Sequence, residues 1–469
     1  MELVSSSVKI KNIFKEVDNK FTSEQKKLLR DQIVKDIYSF AETIARKTVK
    51  VNNKKKTDLG EKIDDILTSK WLGFPIMLLM LGGVFWLTIA GANVPSALLA
   101  KGLFWIEGRL SDFFIWIKAP EWLHGILVLG VYRTMAWVVS VMLPPMAIFF
   151  PLFTLMEDLG YLPRVAFNLD NFFKKAGAHG KQSLTMSMGF GCNAAGVISA
   201  RIIDSPREKL IAIITNNFVP CNGRFPTLII LATIFMGTVV SNTYSSFIAA
   251  ATVVGLVLFG IIITLVVSWG LSKTVLKGVP SSFTLELPPY RKPQIGRVLV
   301  RSFLDRTLFV LGRAVIVAAP AGAIVWIFAN VGLNGVSLID HVANLLDPFA
   351  VLIGLDGFIL LAFILGLPAN EIVIPILVMS YLSAGTMLEP ESANALRDIL
   401  VNNGWTWVTA LATMLFSLLH FPCGTTLLTI RKETQSIKWT IFTFILTTSI
   451  AIVVTFVVVQ LIELFGLIL

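Results

Sequence analysis

The sequence predicts an all-α, polytopic membrane protein made of two inverted repeats that contain broken or re-entrant helices. Three observations carry this reading. Of 469 residues, 55% are hydrophobic and only 15% charged, a balance that makes lipid the main solvent of the chain. Apolar runs close to the roughly 20 residues that cross a bilayer as a helix recur at Trp71–Ala90, Gly125–Phe150, Leu210–Met236, Ser246–Leu271, Thr307–Asn330, Trp405–Ile430 and Trp439–Leu469, about seven full crossings. Two further apolar stretches, Ser183–Ala200 and Val351–Ser383, are interrupted near their middles by polar or glycine-rich motifs and do not read as ordinary spans.

Taken in order, the first 70 residues are polar and charged, with no apolar run of signal-peptide type. Thr22-Ser23-Glu24-Gln25 has capping-box spacing, and Leu29, Ile33, Ile37, Phe40 and Ile44 follow at helical intervals. Lys50–Lys56 reads as a basic turn. Asp58 and Glu61 then form a second capping signal before Ile63, Ile66, Leu67 and Trp71. Residues 1–70 are thus a cytoplasmic amphipathic helical segment, equally suited to docking a partner and to lying on anionic headgroups. The net charge of +10 is concentrated in Lys9–Lys70 and Lys273–Arg306, both beside spans. The positive-inside tendency explains it, places both segments and the N-terminus in the cytoplasm, and removes the case for a nucleic-acid partner. The chain divides into this segment, a first membrane half 71–271, a basic cytoplasmic linker 272–306 and a second membrane half 307–469.

Charge also orients the breaks. Gly91–His124 is nearly neutral and falls outside; Arg164, Lys174, Lys175 and Lys181, and then Arg201, Arg207 and Lys209, fall inside. The stretch between these basic clusters, Met188-Gly-Phe-Gly-Cys-Asn-Ala-Ala-Gly196, enters from the cytoplasm and returns to it. Asp340 and Asp347 before Val351–Ser383, with Glu389, Glu391 and Asp398 after it, place the second break outside. Two broken segments entering from opposite faces are what an inverted repeat produces, with the substrate site where their tips meet. Two motif pairs agree: Gly189-Phe190-Gly191-Cys192-Asn193 with Gly366-Leu367-Pro368-Ala369-Asn370-Glu371, and Pro220-Cys221-Asn222-Gly223 with Pro422-Cys423-Gly424.

A helix broken inside a membrane strands N–H and C=O groups, each costing several kcal/mol unless protein, water or ligand pairs with it. Here every break carries potential metal donors: Cys192 and Asn193, Cys221 and Asn222, Asn370 and Glu371, and His420, placed three residues before Cys423 where one helix would show both on one side. Sulfur, imidazole, carboxylate and freed carbonyls together suit a borderline divalent transition metal better than sodium, calcium or a sugar. Cysteines, all three of them in or beside apolar segments, are also common as small buried hydrophobes, and a histidine in an apolar helix commonly bonds a neighbouring carbonyl. Glu371 differs, since an ionisable group in a membrane segment is functional by default. Met186 and Met188 read as packing or as soft thioether donors. Glu157, Asp158 and Asp170 read as cation attractors or as partners of Arg164, Lys174 and Lys175.

No nucleotide-hydrolysing enzyme is expected. Gly180-Lys181 lacks the upstream glycine and the following Ser or Thr of a phosphate-binding loop, and no Ser-His-Asp, zinc-protease or haem pattern occurs.

The stretch EDLGYLPRVAFNLDNFFKKAGAHGKQSLTMSMGFGCN resembles the first gate region of FeoB-type ferrous iron transporters. SPREKLIAIITNNFVPCNGRFP, GLPANEIVIP, HFPCGTTLLTIRKE and DDILTSKWLGFPI are similar to further segments of that family, over about residues 60–440. The resemblance implies two gate repeats, import of Fe(II) across a bacterial cytoplasmic membrane as transported substrate with no permanently bound cofactor, and a path along Cys192, Cys221, Cys423 and Glu371. Family members normally carry an N-terminal GTP-binding domain followed by a helical domain, residues 1–70 resemble only the helical remnant, and many members have Val-Pro where this chain has Ala194-Ala195. GTP control then comes from a separate GTP-binding protein docked on residues 1–70, or from a domain of a longer chain of which this sequence is a truncated piece, or transport is uncoupled from nucleotide. A small cytoplasmic accessory protein and homo-oligomerisation complete the expected partners. Two other functions share these features: a nucleoside-type gate permease using Asn193, Asn222 and Asn370, and a non-transporting membrane scaffold for a soluble GTPase.

Overall fold

A computed structural model describes residues 23–48, 59–69, 71–236, 245–277, 290, 294–333, 335–388 and 393–466. Thr22, Lys50–Lys56, Asp58, Glu389, Glu391 and, within the 272–306 linker, residues 278–289 and 291–293 lie outside the described residues.

Apart from a two-residue pairing in which Gly332 faces Ser337, the described secondary structure is helical. Among the described residues, six helices are long and apolar enough to cross a membrane: Gly73–Trp116, Glu121–Asp158, Ile248–Lys273, Val310–Asn330, Trp407–Thr434 and Ile437–Leu464. A seventh crossing arises only if Leu338–Leu352 and Gly357–Leu365, bent by 110°, count as one. Two expectations change. The run Leu210–Met236 is no single span, because it is broken between Phe218 and Phe225 into Pro206–Thr215 with a short 3-10 turn, and Phe225–Met236. The first span does not stop at Ala90 but continues to Trp116 through Pro95, giving 44 residues and a length of about 66 Å. One proline in a long apolar helix removes a single hydrogen bond, and the flanking turns hold the direction.

Each half repeats one order of elements. A long helix (Glu121–Asp158, then Phe309–Asn330) precedes a shorter one (Tyr161–Lys175, then Leu338–Leu352). A glycine with positive φ follows, Gly177 at 71° and Gly354 at 72°. Then comes a hairpin of two short helices, Gln182–Gly191 with Asn193–Ser199 and Gly357–Leu365 with Val373–Tyr381. The turning residue of each hairpin is extended: Cys192 has φ −157° and ψ 126°, Ala369 φ −153° and ψ 122°, and the interval from glycine to turning residue is the same in both halves. A broken helix and a long final helix (Ser245–Lys273, then Ile437–Leu464) close each repeat.

The hairpins are re-entrant, and they enter from opposite ends. Lys181 Nζ donates to Ile202 O at 2.8 Å, closing the base of the first. The Tyr381 hydroxyl donates to Asp356 Oδ2, closing the base of the second. The 28-residue span Trp407–Thr434 measures their separation: at its start Trp405 Nε1 donates to Tyr381 Oη at 2.8 Å, and near its finish Glu433 pairs with Arg201 at 2.6 Å. One hairpin base therefore sits at each end of a single span, the inversion expected from charge. Between the halves, the long helices cross where Gly130 and Gly322 let backbones come close.

The amphipathic helix Leu59–Leu67 is tied to the first repeat by a carboxylate. Asp64 accepts from Arg164 Nε at 2.9 Å, from Arg164 Nη2 at 3.0 Å and from the Tyr290 hydroxyl at 2.6 Å, while the Arg164 guanidinium stacks 4.2 Å from the Tyr290 ring centre. Arg164 thus pairs with Asp64, not with the nearer-in-sequence Asp158 or Asp170; Lys174 takes Asp170 at 2.6 Å. The expected same-turn partners lose because helix Tyr161–Lys175 turns Arg164 inward, to 2% exposure, against helix Leu59–Leu67. The Arg164 hydrogen bond, helped by that of Tyr290, holds the Asp64 carboxyl below its usual 3.8. The tie is therefore complete above that value and is lost as pH falls below it. Asp64→Asn is expected to release helix Leu59–Leu67 at neutral pH, with amide exchange there about tenfold faster, the size of one screened charge-assisted pair; unchanged exchange would show that the tie is incidental.

Candidate metal path

The four breaks converge. A cavity of about 30 Å³ is lined by Cys192 and Asn193 from the tip of the first hairpin, by Pro368, Ala369, Asn370 and Glu371 from the tip of the second, and by Cys221 and Cys423 from the two broken helices. Met142 and Met146 of the span Glu121–Asp158 complete it on one side, Val310 and Ala314 on another.

The backbone explains why breaks can exist at this depth. Cys192 N–H still bonds Met188 O at 3.1 Å, and Cys192 O already accepts from Gly196 at 2.9 Å, so the hairpin turns on one extended residue. The carbonyl freed at Gly191 accepts from Asn222 N–H at 3.3 Å, and in the second half Leu367 O accepts from Gly424 N–H at 2.7 Å. Within each repeat, then, the broken helix satisfies the broken hairpin. Pro220 and Pro422, which lack an N–H, make both helix interruptions local.

Arg224 joins the halves. Its side chain is fully buried at 0% exposure and donates to Asn217 O and Leu418 O at 2.8 Å, to His420 O at 3.1 Å and to Phe421 O at 3.2 Å. These are carbonyls of the first broken helix and of the end of Trp407–Leu419, orphaned where each helix stops. Asn217 Nδ2 adds a bond to His420 O at 2.7 Å, and Asn216 Nδ2 one to Asn193 O at 3.2 Å. The Asn193 amide lies 3.3 Å from that of Asn217; turned about, its nitrogen meets Gly189 O at 3.2 Å and Val219 O at 3.3 Å.

Close approach at the cavity needs two glycines. A Cβ on Gly223 would lie 2.1 Å from Glu371 Oε1, and one on Gly191 would lie 2.2 Å from Cε1 of Phe149. Glu371 thus rests against bare backbone of the opposite repeat, beside Cys221.

Of the expected donors, Cys192, Asn193, Cys221, Asn370, Glu371 and Cys423 line one cavity. Asn222 and His420 do not. Asn222 contributes its backbone N–H, and His420 turns into an aromatic cage, with ring centres 4.8 Å from Phe421, 4.9 Å from Phe363 and 5.7 Å from Phe416. Its Nδ1 lies 2.9 Å from Ser417 O and 3.0 Å from Phe416 O. His420 and Cys423 also do not share a helix face: Trp407–Leu419 ends at His420, and the next helix begins after Cys423, because Pro422 cannot continue the ladder. Among the described residues no group of three or more His, Cys, Asp or Glu side chains closes on one point as a ready-made metal site.

Sequence reasoning passed over Arg224, Asn216 and Asn217, and over the thioethers of Met142 and Met146. Met186 and Met188 pack in the core, whereas Met142 and Met146 reach the cavity. Arg224, a charge between two apolar runs, carried the same signal that singled out Glu371.

Inverted hairpins whose tips meet the breaks of two further helices define a gate-repeat membrane protein. The sequence family described as Gate, nucleoside recognition, matches residues 139–236 and 311–437, and that described as ferrous iron transport protein B C terminus matches residues 253–305. The Fe(2+) transporter FeoB of Staphylococcus aureus (strain MSSA476) is 28% identical over 96% of this chain and 67% of its own length. The Campylobacter jejuni Fe(2+) transporter FeoB is 26% identical over 90% of this chain and 68% of its own, and a Porphyromonas gingivalis Fe(2+) transport protein A/FeoB fusion is 26% identical over 90% and 54%. No solved structure matches the chain. The chain belongs to the FeoB-type family and corresponds to its membrane part.

Proposed function

We propose that this chain is the permease part of a ferrous iron transporter, passing Fe(II) across a bacterial cytoplasmic membrane through the cavity between the hairpin tips, with its N-terminus cytoplasmic. The observation that carries the reading is that all three cysteines and Glu371, drawn from four separate backbone breaks in both halves, line one small space. Thiol, thioether, carboxylate and amide oxygen form a mixed donor set suited to a borderline divalent ion. Two lining atoms, Asn370 Oδ1 and Thr425 Oγ1, are buried without a hydrogen-bond partner, which supports oxygen donors facing the passing ion. Because the donors line the space without closing on one point, the ion is handed on and not stored, as conduction requires.

The names of the relatives support iron as the cargo. The fused transport protein A of the Porphyromonas relative supports a small cytoplasmic accessory partner, and a separate GTP-binding protein would dock on residues 1–70. In this reading the chain is a transporter and holds no resident cofactor. A nucleoside cargo is less well served, since about 30 Å³ is far below the few hundred Å³ of an ordinary small-molecule site. Uptake into proteoliposomes, resolved by metal and challenged with nucleosides, tests the choice. Fe(II) accumulation insensitive to excess nucleoside is expected. Nucleoside uptake indifferent to metal would reverse the assignment, and absence of metal flux with retained binding of a GTPase would point to the scaffold.

A further inference from the structure

A second cavity, of about 330 Å³, lies behind the first hairpin and away from the cysteines. Its walls come from the spans Gly73–Trp116, Glu121–Asp158 and Ile248–Lys273, from helix Tyr161–Lys175, and from the hairpin helix Gln182–Gly191 through Met186, Ser187 and Phe190. We infer that this cavity is a binding site for one acyl chain of a bilayer phospholipid.

Three properties select that occupant. The lining is aliphatic, aromatic and thioether except for Tyr161 and Ser187, and the Ser187 hydroxyl is already donated to Ser183 O at 2.9 Å. A polar ligand would lose its hydrogen bonds to water and regain almost none. The volume falls at the lower end of ordinary ligand sites, yet it does not hold a helix, whose diameter with side chains is about 10–12 Å. A helical protein segment is thereby excluded and a single hydrocarbon chain admitted. Finally, the cavity is continuous with the lipid-facing surface: its rim residues Leu78, Phe172 and Leu258 are 58%, 51% and 48% exposed, two of them on candidate spans. An occupant therefore arrives sideways from the bilayer, and the unbranched side chains of Met77, Met156 and Met186 let the walls adapt to it. Because Phe190 stands two residues before Cys192, a chain in this cavity supports the helix that carries the first hairpin tip.

The test uses the full chain in nanodiscs doped with a phosphatidylglycerol that bears a photoreactive diazirine near the end of one acyl chain, followed by peptide mapping. Adducts are expected on Leu162 and Met186, which are only 4% and 5% exposed and out of reach of lipid lying on the outer surface, as well as on outward residues such as Ile445. Filling the cavity with Ile261→Trp, or from another wall with Val165→Phe, is expected to lower the buried adducts at least tenfold and leave labelling of Ile445 unchanged. Labelling of Ile445 without adducts on Leu162 or Met186 in the parent chain would overturn the inference, whether or not the filled variants fold. So would buried adducts that persist at full yield in a filled variant that elutes as a single species.

Discussion

Replacing Arg224 by alanine is expected to abolish recovery of a folded, monodisperse protein from membranes. Two effects oppose each other in this variant. Removing a guanidinium of 0% exposure relieves the cost of burying a charge, and that gain is real. Against it stand the carbonyls of Asn217, Leu418 and Phe421, which lose their donor, while His420 O keeps only its bond from Asn217 Nδ2. Each buried group left unpaired costs about 1–3 kcal/mol, so the three together approach the lower part of the roughly 5–15 kcal/mol of net stability typical of a domain. The carbonyls prevail because they end helices where no intrahelical N–H replaces Arg224. Arg224→Lys keeps the charge but cannot fork across four acceptors, so it is expected to fold with a lowered thermal midpoint. Size-exclusion profiles and thermal unfolding in detergent read both variants. An Arg224→Ala protein that elutes and unfolds like the parent would show that the two repeats are not held together at this point.

The second large effect concerns the cavity itself. Combining Cys192→Ala, Cys221→Ala and Cys423→Ala is expected to lower Fe(II) uptake by at least tenfold while the protein remains folded. The separation of the two readouts follows from the geometry. Among the described residues, Cys423 Sγ lies 3.2 Å from Thr426 Oγ1, and the thiols of Cys192 and Cys221 meet only backbone N–H groups, of Ala194 and Ala195 and of Gly223 and Arg224. Little of the fold is lost with them, whereas all of the sulfur donors other than Met142 and Met146 disappear from the cavity. Undiminished uptake by the triple variant would remove the cysteine path. Glu371→Gln, which keeps the shape that fits against Gly223, separates the need for a charge from the need for a filled space.

The positions of the breaks were legible because Gly-Phe-Gly-Cys-Asn and Gly-Leu-Pro-Ala-Asn-Glu interrupt apolar runs with residues that are costly in lipid, and such interruptions survive only at a site that compensates them. The inversion was legible in the basic flanks of one hairpin and the acidic flanks of the other. What could not be read was how the breaks satisfy one another. Hydropathy treats Leu210–Met236 as one span because its average stays high, although Pro220 and Asn222 divide it. The bonds from Asn222 to Gly191 and from Gly424 to Leu367 join segments about 30 and 57 residues apart, a distance that no local pattern encodes. His420 shows the opposite failure. Residue type made it a candidate donor, but the break that isolates Cys423 also turns the imidazole into a cage of three phenylalanines.

Iron K-edge X-ray absorption of the protein loaded with Fe(II) under anaerobic conditions tests the path most directly, because it reports the atoms bound to the ion. The account predicts sulfur together with oxygen around the iron in the parent chain, and loss of most of the sulfur contribution in the triple alanine variant. Iron bound to oxygen and nitrogen alone in the parent, or a sulfur signal unaltered by the three substitutions, would contradict it.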